Sequence, residues 1–159
     1  MATFKKHNPG CKGCIEDPPP CYICSADADT LAVTLAGLSN GDCVCSSLNA
    51  THILSRRIDN ACYWRKGSAM VSCGGLYGLV SYSVEAAVWP GFGGRSEWIV
   101  NLRIYGGIIY YGEIAFAAWK WTSSTSDPID CTAARTLTLV SVPTGAVCSD
   151  WGSMTCQVN

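Results

Sequence analysis

Apolar residues recur at every second position in several stretches of this chain, the period of strands with one covered face. Leu31, Val33 and Leu35 alternate with Ala32, Thr34 and Ala36, and Gly37 ends the run. Val80, Tyr82, Val84, Ala86 and Val88 share a face opposite Ser81, Ser83 and Glu85. After the loop residues Pro90-Gly91-Phe92-Gly93-Gly94, Trp98, Val100, Leu102 and Ile104 alternate with Glu97, Asn101 and Arg103. Gly106-Gly107 then predicts a tight hairpin, with a return strand through Ile114 and Phe116 to Trp119. The stretch 114–121 also fits a helix, but it is short and follows a turn, so a strand is expected. Residues 136–142 form a further strand, stopped by Pro143-Thr144-Gly145, and a last strand or hairpin holds Cys148, Trp151 and Cys156. Shorter strands are expected over 43–53, 62–65 and 69–73. The pattern predicts an all-β protein of about eight or nine strands: an antiparallel β-sandwich, jelly-roll-like.

This pattern starts only near residue 30. Residues 1–28 hold four cysteines, four prolines and no apolar period. We therefore expect an irregular Cys/Pro-rich N-terminal arm (1–28) followed by a β-sandwich domain (29–159).

Charge narrows the functional classes. Only 14% of the 159 residues are charged and the formal net charge is −1. Neither nucleic acid nor an anionic membrane surface is an expected partner. The longest uncharged run, 67–84, carries eight Gly or Ser among its 18 residues, so no membrane helix is expected. Met1 to Pro9 carries Lys5 and Lys6 without an apolar core behind them, so no signal peptide is expected there either.

The 11 cysteines pull the other way, because such a load belongs to oxidising surroundings. Cys11, Cys14, Cys21 and Cys24 make two CxxC units, a ligand set that suits tetrahedral zinc. The six-residue spacer contains Pro18-Pro19-Pro20, which is stiff and extended. Disulfides stapling the arm are therefore favoured over zinc, and no other cofactor is expected. Cys43, Cys45, Cys62, Cys73, Cys131, Cys148 and Cys156 lie in or beside predicted strands and are further disulfide candidates. Eleven is odd, so one cysteine stays free or bonds another chain.

No nucleophile, phosphate-loop or metallopeptidase motif occurs. Of the two histidines, neither His7 nor His52 has an evident acid–base partner. Glu97 and Glu113 fall on strands joined by one turn, but at unequal distances from it, so they are not expected to face each other as a glycosidase pair would. No enzyme is expected. Aromatics are the richer signal, with six Trp and seven Tyr. Trp89, Trp119 and Trp121 are candidates for stacking on sugar rings, while core and subunit contact is the favoured use of the aromatics as a whole. Asn49-Ala50-Thr51 is a glycosylation sequon, relevant only in a glycosylating compartment.

Several short motifs fall in a recurring order. Leu31-x-Val33-x-Leu35-x-Gly37 precedes Cys43, Cys45 and Leu48-Asn49-Ala50-Thr51. Then come Cys62-Tyr63-Trp64, Asp130-Cys131 and Cys148-Ser149-Asp150-Trp151. In this order the chain resembles cysteine-rich proteins encoded in bacteriophage and environmental bacterial genomes, similar in phages to head-decoration or tail components of the virion. Ala50 departs from that pattern, which has glycine there and a tight turn. The resemblance implies no catalytic residues. It implies a structural subunit of a virion (capsid decoration or cement, or tail) or of an extracellular filament. Its partners would be copies of itself and other subunits. The alternative is a β-sandwich module that binds surface glycans for host attachment. Either reading expects a virion or extracellular location.

Overall fold

The computed structural model describes residues 21–26, 28–37, 48–72, 79–106, 112–141 and 155–158. Ten strands run through them: β1 (Cys24–Ala26), β2 (Thr30–Ala36), β3 (Thr51–Arg56), β4 (Tyr63–Ser72), β5 (Leu79–Pro90), β6 (Ser96–Tyr105), β7 (Glu113–Thr122), β8 (Ile129–Asp130), β9 (Arg135–Ser141) and β10 (Thr155–Val158). Eight of them close into one antiparallel sheet in the order β10-β2-β3-β4-β5-β6-β7-β9. β1 and β8 form a separate parallel pair.

The all-β, antiparallel, sandwich-like architecture expected from the alternation is present. Two walls of strands pack across a shared core, and they are continuous with each other because the sheet curls until β10 joins β2 to β9. The connections are a meander, each barrel strand lying beside the next in the chain, where a jelly roll would cross over. Closure gives every barrel strand a neighbour on both sides, although the β3–β4 and β7–β9 ladders are short.

Period two decides what fills the interior. Along β6 buried and half-buried positions alternate without exception, so Ser96, Trp98, Val100, Leu102 and Ile104 point inward. Their neighbours across the sheet include Val84 on β5 and Ala117 and Trp119 on β7. Trp64, Trp98 and Trp119 are fully buried among Leu31, Val33, Leu35, Leu54 and Val158. An eight-stranded barrel is just wide enough for its own side chains, and these residues pack it. The Trp64 and Trp98 rings lie 5.3 Å apart, and the Trp64 indole N–H donates to the Ala28 carbonyl at 2.8 Å.

Some expected elements differ. The stretches 62–65 and 69–73, expected as two strands, are one strand, β4. Its pairing with β5 slips between Lys66 and Ala69, a bulge at Gly67-Ser68 that breaks the period without ending the strand. The reversal between β6 and β7 is not at Gly106-Gly107. Tyr105 pairs with Glu113 and the Gly106 N–H donates to the Gly112 carbonyl at 2.9 Å, so the ladder still runs at Gly106; Gly107 lies outside the described residues. Two glycines permit a turn but do not compel one. Ala50 sits in a tight turn despite lacking glycine's freedom, its N–H donating to the Leu48 carbonyl at 2.8 Å.

Candidate functional site

One end of the barrel gathers the start of β2, the β3–β4 turn, the β5–β6 turn and the segment from β7 to β9. Residues 21–26 lie across it. β1 pairs there with β8, and Ile129 and Cys131 join the core while Ile23 and Cys24 pack against it. Backbone bonds from Ile129 to Ile23 (2.9 Å) and from Cys131 to Ala26 (2.6 Å) hold the two pieces together.

Two disulfides fix this arrangement. Cys21 bonds Cys62 and Cys24 bonds Cys131, with Cα separations of 5.1 and 5.5 Å. The closed loops span 41 and 107 residues, and in the chain-entropy picture loops of that size give roughly 3–5 kcal/mol each. The sequence favoured bridges that staple the arm; the bridges found bolt its root to the barrel. The sulfurs of Cys21 and Cys24 are thereby tied up and are not thiolates offered to zinc. Among the described residues no group of three or more His, Cys, Asp or Glu side chains is gathered as for a metal. Cys11, Cys14, Cys43, Cys45, Cys73 and Cys148 lie outside the described residues. Cys156 stands on β10, opposite Leu35 and Leu137.

Beside the Cys21–Cys62 bridge is an apolar surface recess of about 200 Å³, lined by Ile23, Cys62, Val88, Trp89 and Pro90 with Asn60 at its polar side. Asn60 Oδ1 accepts the Cys62 N–H at 3.1 Å and so shapes the turn entering β4. That leaves the Asn60 amide nitrogen for another acceptor. At this end of the barrel apolar side chains stand out in solvent: Tyr22 (87% exposed), Phe92 (99%) and Ile58 (63%), with Trp89 of the recess itself half exposed. Phe92 is carried by a short 3-10 turn, Phe92–Gly94, in which Gly93 and Gly94 take positive φ. Under that turn Gly91 lies flush against Glu97; a Cβ at 91 would come within 2.4 Å of the Glu97 side chain. Glu97 is held in turn by Lys120 at 2.7 Å.

The three sugar-stacking candidates are not brought together. Trp119 is fully buried, because its strand alternation points it at the core, and it offers no face to a ligand. Trp121 packs partly against the core and has the Arg135 guanidinium 4.7 Å over its ring. Trp89 alone of the three faces solvent. Asn49 lies exposed in the turn before β3. The sequence reading passed over Tyr22, Ile23, Asn60 and Phe92; Tyr22 and Ile23, inside the CxxC of Cys21 and Cys24, carried the one available signal.

Other ionisable groups serve the wall. Glu97 pairs with the far end of β7 and Glu113 with Arg103 at 2.6 Å, at opposite ends of the β6–β7 ladder, so they do not face each other. The Tyr63 hydroxyl is pushed up to about 12, first by burial and then by bonding to Glu85, whose carboxylate also pairs with Arg65. His52 is buried against the Tyr82 ring, with Nε2 donating to the Leu48 carbonyl (3.1 Å) and Nδ1 accepting from Lys66 Nζ (3.3 Å). Burial lowers its pKa and the Lys66 charge adds to this, against the Leu48 bond. A buried neutral imidazole with both nitrogens engaged is a wall component, not a poised base.

Fold and site together define a disulfide-stapled antiparallel β-barrel with an apolar recess beside Trp89 at its stapled end. The chain matches no protein-family model, and no curated protein or solved structure is significantly similar to it.

Proposed function

We propose that the chain is a structural subunit of an extracellular assembly, a virion (capsid decoration or tail) or a filament, which it joins through its N-terminal arm and the aromatic surface beside it. The observation that carries this reading is the double disulfide at the root of the arm. A segment that only tethered the chain loosely would have no use for two covalent bolts. A segment that bears load into a neighbour needs a rigid root. The cysteine bridges also fit oxidising surroundings. Exposed Tyr22, Trp89 and Phe92 at this same end are the residue types enriched in subunit contacts.

Electron microscopy and native mass measurement of the oxidised, full-length protein test the proposal. Multimers of fixed stoichiometry or regular fibres are expected, and a monomer at every concentration contradicts it. A second reading, glycan attachment, is favoured by one observation: Trp89 presents half its surface next to the Asn60 amide. Binding to a glycan panel that disappears in Trp89→Ala, in a protein that stays monomeric, supports that reading over the first.

A further inference from the structure

We infer that the recess at Trp89 is the seat of the proline run Pro18-Pro19-Pro20 from the arm of a second copy of this chain. The inference rests on the assembly reading and adds to it which surface meets which. A proline run offers apolar rings and backbone carbonyls, and no N–H donors. Its complement is an apolar floor with aromatic walls and donors at the rim, as in other sites that take extended proline-rich segments. The recess has that composition. Ile23, Val88 and Pro90 line it with the half-exposed Trp89, and Asn60, whose Oδ1 is taken by the Cys62 N–H, brings its amide nitrogen as a donor.

Charge agrees. Glu16 and Asp17 precede the prolines. Arg95, exposed in the turn that presents Phe92, makes no ion pair among the described residues and is available to that acidic pair.

The occupant comes from another copy because of where the run ends. Pro20 is joined to Cys21, which is bonded to Cys62 in the wall of the recess. A proline run is stiff and extended, and a sharp reversal would be needed to lay it on the recess that its own end borders, so the seat is assigned to a second copy. Twenty residues precede the first described one, and at roughly 3.3 Å each they span ample distance to a neighbour. One arm in one recess is a head-to-tail contact, which builds rings or filaments.

Two complementary variants test this in the oxidised full-length chain. Trp89→Ala keeps the arm and loses the seat; the triple variant P18G/P19G/P20G keeps the seat and loses the run. Trp89 is half exposed, so its truncation leaves the core intact, and mapping of the Cys21–Cys62 and Cys24–Cys131 bridges verifies both folds. Each variant alone is expected to need a roughly thirtyfold higher concentration to associate, the scale for loss of an aromatic anchor. Mixed one to one, they are expected to form a heterodimer through the one remaining arm and seat. Association of either variant at the wild-type midpoint, or a mixture that stays monomeric, overturns the inference while leaving assembly by another surface standing. A wild-type chain that never associates overturns both.

Discussion

From β4 to β7 the barrel wall is built of strands of ten to twelve residues. Ser81 to Pro90 pairs with Ser96 to Tyr105 without a break, and ion pairs lie across the outer face at Arg65–Glu85, Arg103–Glu113 and Lys120–Glu97. From β9 through β10 and β2 to β3, strands of four to seven residues are described. The joint between β3 and β4 consists of Ser55 with Arg65 and Arg56 with Trp64, and that between β7 and β9 of three pairs with a slip. Both disulfides attach next to a strand of these joints: Cys62 immediately precedes β4, and Cys131 lies ahead of β9. The long ladder is held by its own hydrogen bonds and packing, while both covalent ties of the N-terminal segment go to residues next to a strand of a short joint. The root of the N-terminal segment is thus tied to the barrel at two places, beside β4 and ahead of β9.

The comparison is broken hardest from inside the long-strand half. Trp98→Ala empties a fully buried site and is expected to cost about 3–5 kcal/mol in denaturant unfolding. Next comes the thin half: Cys131→Ser, which frees Cys24 as well, is expected to cost about 2–5 kcal/mol. Hydrogen exchange should then accelerate first in β9, β10 and β2, with β5 and β6 still protected; uniform acceleration would show that the two halves do not differ in this way.

Acid probes the same half through His52. Its pKa is lowered on folding, so the unfolded chain binds the proton more readily. Stability is therefore complete above about pH 6.5 and declines as pH falls below that value. His52→Gln should flatten this slope in a pH series of melting temperatures. The smallest effect is expected on the outside of the long half. Arg103→Ala removes a half-exposed ion pair and should change stability by about 0–1 kcal/mol.

The long half was legible in the sequence because β5 and β6 each alternate over many residues and contact their chain neighbours. Closure was not, since it depends on Thr155 to Val158 finding both Ala36 to Val33 and Leu137 to Arg135 far along the chain. Period two told which residues of β7 share a face but not that this face is the interior, so Trp119 read as a surface candidate. Disulfide partners were equally hidden: Cys24 and Cys131 are 107 residues apart, and no spacing rule joins them. The recess draws on Ile23, Asn60 and Trp89 from three separate segments, so only the fold assembles it.

The central claim is that the stapled end is the contact surface of an assembly. Hydrogen exchange of the oxidised full-length chain, compared between dilute and associated samples, tests it most directly. New protection is expected in peptides covering 21–26, 57–62 and 88–95. Protection gained instead on the outer face of β6 and β7, or nowhere, would contradict the account.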